Sequence, residues 1–303
     1  MDASPTSRHG PLLSPGLRYM ALSALFFSLM SLFVKIAGRT FPTMELVFAR
    51  ALVVSTLALV DIRRRRASLR SPEWRLLTLR GFVGLAALTC FYFAVVHLPL
   101  AEVTVIHFTN PVFTAIIAAV FLAEGLRRRE VALTLFSLAG VVLVVRPSAM
   151  LAGDDGLYRL AVAAALAGAI LAAVAYSLVR RLRREDAMVI VFYFAAVSVV
   201  AALPLMAPVF VTPRGWEWLT LLGVGVATFL GQLFMTLGLQ RERAARATAV
   251  GYLQIVFAAG WGILFFGEVP RLTTLAGAVV IVGSTLLLAR LREHPPAGAR
   301  GEP

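Results

Sequence analysis

His107 and Asn110 stand three residues apart in the segment AEVTVIHFTNPVFTAII. That spacing sets them about 60° apart around a helix, hence on one face, and Thr104, Pro111 and Thr114 continue the same stripe. Imidazole titrates near neutrality, so His107 could carry a proton, or it could be a neutral, hydrogen-bonded packing group. The amide of Asn110 offers donors and acceptors to a polar solute. Its alternative use is an interhelical hydrogen bond worth about 0.6 kcal/mol. Pro111 lacks a backbone donor and frees the carbonyl of His107, which predicts a kink beside the pair. Gln254, 144 residues after Asn110, offers a second amide of the same kind.

Other polar groups are isolated in apolar surroundings. A charge at the centre of a bilayer costs about 2.5–3.5 kcal/mol on insertion scales, so each needs a reason. Lys35 and Arg50 fall in the outer parts of the first two apolar runs, with Glu45 between them. Glu45 and Arg50 are five apart, about 140° around a helix, and do not face each other. Glu45 is expected to pair with Lys35 across the turn, or Lys35 snorkels to the outer interface. Arg50 lies deeper and is expected to face a cavity or a partner helix. Tyr92, Tyr176, Gln232 and Tyr252 are further binding candidates, each with ordinary packing as the alternative. Cys90 is the single cysteine, which excludes a disulfide or a cysteine-based zinc site within one chain. His9, His97 and His294 show no ligand spacing, and the sequence has no phosphate-binding loop for direct ATP coupling. No cofactor or metal is expected.

These groups must be positioned by membrane helices. The 303 residues are 59% hydrophobic and 15% charged, with mean hydropathy +0.84; soluble domains carry about 25% charge. Apolar runs near the length that crosses a bilayer recur along the chain. Ten spans are read at 17–37, 43–62, 75–96, 102–123, 130–146, 157–180, 187–207, 217–239, 246–267 and 272–290. Residues 1–16 and 292–303 are polar tails. The expected fold is an all-α integral membrane bundle, since lipid forces the backbone to satisfy its own hydrogen bonds. Ala161, Ala165, Ala169 and Ala173, with Ala164, Gly168 and Ala172, give the sixth span small-residue faces for close helix contact.

Two internal regularities organise the spans. At an offset of 144, Ala101 meets Ala245, Thr104 meets Thr248, Phe113 meets Phe257, Glu124 meets Glu268, Glu73-Trp74 meets Glu217-Trp218 and Gly81 meets Gly225. This marks a duplicated half-protein, residues 17–146 and 157–291. With the N-terminus inside, 22 lysines and arginines fall on the inner side, in loops, tails and the ends of spans, against 6 on the outer side, with Arg50 deeper within a span. That asymmetry places both termini in the cytoplasm and accounts for the net charge of +13 without a nucleic-acid partner. Five spans per half is an odd number, so the halves insert with opposite orientation. Equivalent loops bear this out in charge: HLPLAE at 97–102 is near neutral, and LQRERAAR at 239–246 is basic. Two inverted five-helix repeats are an architecture that secondary transporters use for alternating access. With Asn110 about 12 Å deep from outside and Gln254 entering from inside, both amides approach the midplane.

The chain resembles the drug/metabolite transporter superfamily, in particular its EamA-type members. The resemblance rests on FFSLMSLFVKIAG at 26–38, PTMELVFAR at 42–50 and YFAVVHLPLAEVTVIHFTNPVFTAIIAAVFLAE at 92–124, the last similar to the solute-carrier-35 G-type branch. The second half departs, with Gly251 where the first has His107 and no proline opposite Pro111. The resemblance implies a ten-helix bundle whose cavity is lined by spans 1, 3, 4, 6, 8 and 9. Spans 5 and 10 are then peripheral and could support a homodimer.

The expected function is transport of a small organic metabolite across the cytoplasmic membrane, with a proton as candidate coupling ion. An organic acid or amino-acid-like solute is favoured by the cationic groups, with a lipophilic cation as the rival substrate. A channel or a membrane-embedded enzyme is the remaining alternative, and the enzyme would need a metal or nucleophile cluster that one intramembrane histidine does not supply.

Overall fold

The computed structural model describes residues 15–121, 128–145, 156–182, 184–241 and 250–293. Glu124, Thr248, the connection at 146–155, most of the basic segment 239–246 and the two tails lie outside the described residues. Within them the chain forms α1 Pro15–Ala37, α2 Thr43–Arg64, α3 Trp74–His97, α4 Leu100–His107, α5 Asn110–Phe121 and α6 Arg128–Val145. A second set follows: α7 Gly156–Arg181, α8 Ala187–Met206, a 3-10 turn at Ala207–Val209, α9 Glu217–Arg241, α10 Leu253–Phe266 and α11 Leu272–Glu293. No strand occurs among the described residues. Helices α1, α2, α3, α7, α8 and α9 are each long and apolar enough to cross a membrane, and α6, α10 and α11 contain shorter apolar stretches. Large apolar side chains such as Phe136, Val200, Leu264 and Val279 point outward, as lipid-facing positions do.

The fourth span is two helices, a sharper feature than the kink expected at Pro111. The N–H of Thr109 reaches back only three residues, to the Ile106 carbonyl (3.1 Å), and the Thr109 hydroxyl donates to that same carbonyl at 2.6 Å. A threonine that takes over the backbone acceptor in this way competes with the helix ladder. The ladder restarts when Val112 N–H donates to Thr109 (2.9 Å); Pro111, second in α5, has no N–H to contribute. The second half is interrupted at the matching place. Tyr252, which corresponds to Phe108, sits in a turn, and α10 begins at the next residue.

Helix packing follows the repeat. α1 packs along α9 and α3 along α7; α2 meets α9 and α8 meets α3; α2 faces α8, and α6 faces α11. Replacing each helix by its counterpart in the other half returns the same set. The exchange holds for single residues. A Cβ on Gly81 of α3 would come within 2.8 Å of Val197 on α8, and one on Gly225 of α9 within 2.4 Å of Val53 on α2. Both pairs differ by the offset of 144, so one contact is made twice with its partners swapped between halves. These glycines permit close backbone approach, which is what holds helices together where lipid is as apolar as the side chains. The small faces of α7 are used as expected. Ala161, Ala165, Ala169 and Ala173 are buried, and Gly168 lies against Cys90 and the Ala87 carbonyl of α3.

Connections are tied crosswise in the same sense. Past the end of α2, Ser71 donates to Glu185 (2.7 Å), and the Leu69 carbonyl accepts from the Tyr193 hydroxyl (3.1 Å). Past the end of α8, Val211 N–H donates to the Glu45 carboxylate at the start of α2 (3.0 Å).

Candidate functional site

A chain of rings and cations crosses the middle of the bundle. Tyr252 lies against Phe108 with centroids 5.0 Å apart. Phe108 neighbours His107, whose ring is 4.7 Å from Phe91 on α3. Beside Phe91 stands Tyr92, fully buried, with Arg50 and Thr228 as neighbours of its hydroxyl. The Tyr92 hydroxyl faces Thr228, and that of Tyr252 faces Thr285. The Thr228 hydroxyl is committed to the Val224 carbonyl at 2.7 Å.

Arg50 is 3% exposed, and its guanidinium lies 5.0 Å from the centroid of Phe194 on α8. Phe194 stands 144 residues after Arg50, so the cation rests on the residue that takes its own place in the second half. Arg80 of α3 reaches the same ring at 4.2 Å and lies beside Tyr176. Its reach depends on Gly84, where a Cβ would meet Arg80 Nη1 at 2.6 Å and Phe194 at 2.9 Å. The Nε and Nη1 donors of both arginines lack hydrogen-bond partners. Arg80, one of the 22 basic residues assigned to the inner side, is thus a helix residue inside the bundle. The sequence carried one signal for it: six residues separate it from the start of α3, about 9 Å of helix. Phe194 could have been found through the offset applied to Arg50.

The pairing expected between Lys35 and Glu45 is not made. Lys35 Nζ donates to the Leu98 carbonyl (2.6 Å) and forms an ion pair with Glu268. The other Glu268 oxygen accepts from the N–H of Leu100 at 3.0 Å. Lys35 and Arg39 also lie over Phe266, each 5.1 Å from its centroid. Gly267, left-handed with φ +66°, ends α10 and turns Glu268 back into this cluster. Lys35 therefore neither snorkels nor joins the central array; it ties the end of α1 to the α3–α4 connection and the end of α10. Glu45 accepts instead from the Val211 N–H in the turn after α8.

Asn110 opens α5, and Gln254 is the second residue of α10; both are 8% exposed. The two amides thus flank the interruptions at which Phe108 and Tyr252 meet. Gln232 lies on α9, where Gly231 abuts Phe27 and accepts from Ser23, and its side-chain oxygen is unpartnered. Of the candidates, Arg50, Tyr92, His107, Tyr176 and Tyr252 belong to the continuous array, while Lys35 stands apart. The described residues contain no group of histidine, cysteine, aspartate and glutamate able to hold a metal ion. The array can bind and select a solute by ring faces, hydroxyls and guanidinium donors.

An all-helical multi-pass bundle in two matching halves, with unpartnered polar groups along its centre, is the construction of a membrane carrier protein. Residues 14–146 and 159–290 each match the EamA-like transporter family, and the chain belongs to that family. It is 35% identical to the pseudopaline exporter CntI of Pseudomonas aeruginosa, strain UCBPP-PA14, over 93% of this chain and 98% of that protein. Solute carrier family 35 member G1 of Mus musculus is 31% identical over 92% of this chain and 79% of its own length. The S-adenosylmethionine uptake transporter of Rickettsia felis is 26% identical over 90% and 92%. A solved crystal structure at 22% identity shares the fold, with a TM-score of 0.61 over 90% of this chain and 98% of that one. The family and these named relatives are transporters, not enzymes.

Proposed function

We propose that this protein is a secondary transporter of a small organic metabolite, an organic acid or amino-acid-like solute before others, working by alternating access across the cytoplasmic membrane. The reading includes ten spans in two inverted five-helix halves and both termini in the cytoplasm. One observation carries it: the fourth span and its counterpart are interrupted at equivalent residues, Phe108 and Tyr252, and the interruptions meet. Interrupted helices facing each other at a repeat interface are where carriers of this construction hold their substrate. The swapped contacts Gly81–Val197 and Gly225–Val53 support a two-fold relation between the halves. Names among the relatives, an exporter of pseudopaline and an uptake transporter for S-adenosylmethionine, support a small-metabolite cargo.

In this reading Asn110, Gln254, Tyr92 and Tyr252 contact the solute, and Arg50 favours one that presents a carboxylate. His107 is the candidate proton carrier, and the outward apolar faces of α6 and α11 are the candidate dimer contact. The rings of Phe91, Phe108 and Tyr252 favour a second reading, a lipophilic cation held over aromatic faces. Counterflow in liposomes separates the alternatives. A carrier shows saturable uptake driven by the same solute loaded inside, and a channel shows flux without counterflow. Inhibition by hydrophobic cations but not carboxylates, unchanged in Arg50→Gln, would favour the cation reading.

A further inference from the structure

We propose that Arg50 and Arg80, which share the ring of Phe194, together form a binding site for a solute with two anionic groups. This deepens the transporter reading above and rests on it for the site's use in transport. The distances to Phe194 place the two guanidinium carbons no more than about 9 Å apart. Each arginine lies within range of the other's charge, and no carboxylate of the described residues forms an ion pair with either. Guanidinium groups stay charged even when buried, and unpaired charge inside a membrane protein is costly. Cation–π contact with one ring addresses the faces of both groups but not their N–H donors. The Nε and Nη1 donors left over lie on opposite sides of each guanidinium, and either one, together with Nη2, grips a carboxylate or phosphate at two points. Tyr92 beside Arg50 and Tyr176 beside Arg80 add a hydroxyl at each end. The geometry is that of two forks about one aromatic ring, which selects two anionic groups over one.

Arg80 also specifies an approach. It starts about 9 Å along α3, beyond Trp74 and Arg75, whereas Arg50 hangs from α2 at the opposite end of its span. A dianion drawn to Arg80 first would be handed towards Arg50 and Tyr92, where the array continues through Phe91 to His107. Gly84 is the permissive residue, since any side chain there would strike both Arg80 and Phe194.

The test is thermal unfolding of the purified full-length protein with succinate or glutarate, against butyrate at matched ionic strength. Succinate or glutarate should raise the midpoint clearly and butyrate far less. Arg80→Gln should weaken succinate binding at least tenfold and reduce it to the butyrate level, and Arg80→Lys should recover part of the loss. Equal shifts from succinate and butyrate, no shift from any carboxylate at millimolar concentration, or an unchanged response in Arg80→Gln would each overturn the site. Because the wild-type series stands by itself, a variant that fails to fold does not remove the test. A cardiolipin headgroup, with its two phosphates, presents similar chemistry; stabilisation by cardiolipin vesicles with none by succinate would overturn the solute site in favour of a lipid. Counterflow separates the two levels. Saturable flux of another solute, indifferent to dicarboxylates and to Arg80→Gln, defeats this inference and leaves the transporter reading standing. Dicarboxylate binding without any flux defeats the transporter reading and leaves the site.

Discussion

Phe108 and Tyr252 occupy the same position in the two halves of the chain, and their rings are 5.0 Å apart. Under the two-fold relation proposed for the halves, equivalent residues touch near its axis. Their helices are both interrupted there, so the contact joins the two breaks. Carriers hold substrate at such points because interrupted helices free backbone groups without exposing them to lipid.

Replacing Asn110 or Gln254 by Leu is expected to weaken transport while expression and thermal stability stay near the parent value. Both amides flank the interruptions and neither anchors a helix contact among the hydrogen bonds described above. Counterflow and size-exclusion profiles of the same preparations check this. Equal loss of folded protein and of flux would assign the amides to packing.

The close glycine contacts should be intolerant of a methyl group. Gly225→Ala meets the Cβ of Val53, a branch point that cannot swing aside, so a loss of about 1–3 kcal/mol is expected, the usual cost of overpacking. Gly81→Ala should behave alike against Val197. Val53→Ala in the Gly225→Ala background should recover much of the loss, a coupling that a double-mutant cycle reads directly.

Breaking the Lys35–Glu268 pair should loosen the end of α1 from α10. Glu268→Gln replaces the countercharge of the buried Lys35 ammonium by a neutral amide oxygen, and a loss of about 1–3 kcal/mol is expected from weakening a charge-assisted pair. The charge-reversed double variant Lys35→Glu with Glu268→Lys should regain part of the stability. A thermal midpoint no different from the parent in Glu268→Gln would show that the pair is not structural.

If His107 carries the coupling proton, His107→Gln should abolish the dependence of uptake on an imposed proton gradient. Counterflow, which needs no gradient, should survive. Retained gradient-driven uptake would return His107 to the role of ring partner for Phe91.

A reporter fused to each terminus, active on one side only, should place both in the cytoplasm. Opposite locations would contradict an even number of spans.

The sequence by itself determined the helical class, the two matching halves and most of the residues in the central array. The reason is that a bilayer imposes length and hydrophobicity on each span separately, so these features are written locally. A constant offset is likewise visible in one dimension, and it reaches as far as Arg50 and Phe194. Only tertiary structure decided the pairings. Lys35 and Glu268 are 233 positions apart, and Glu45 was the nearer acid in sequence, yet helix packing brings the distant carboxylate to the lysine. Arg80 is one more basic residue near a basic loop until α3 and α8 approach through Gly81 and Gly84. That approach turns its side chain inward to Phe194. Proline pointed to a bend in the fourth span, but the break itself falls two residues earlier. There the Thr109 hydroxyl competes for the Ile106 carbonyl, a choice settled by the surroundings of that one side chain.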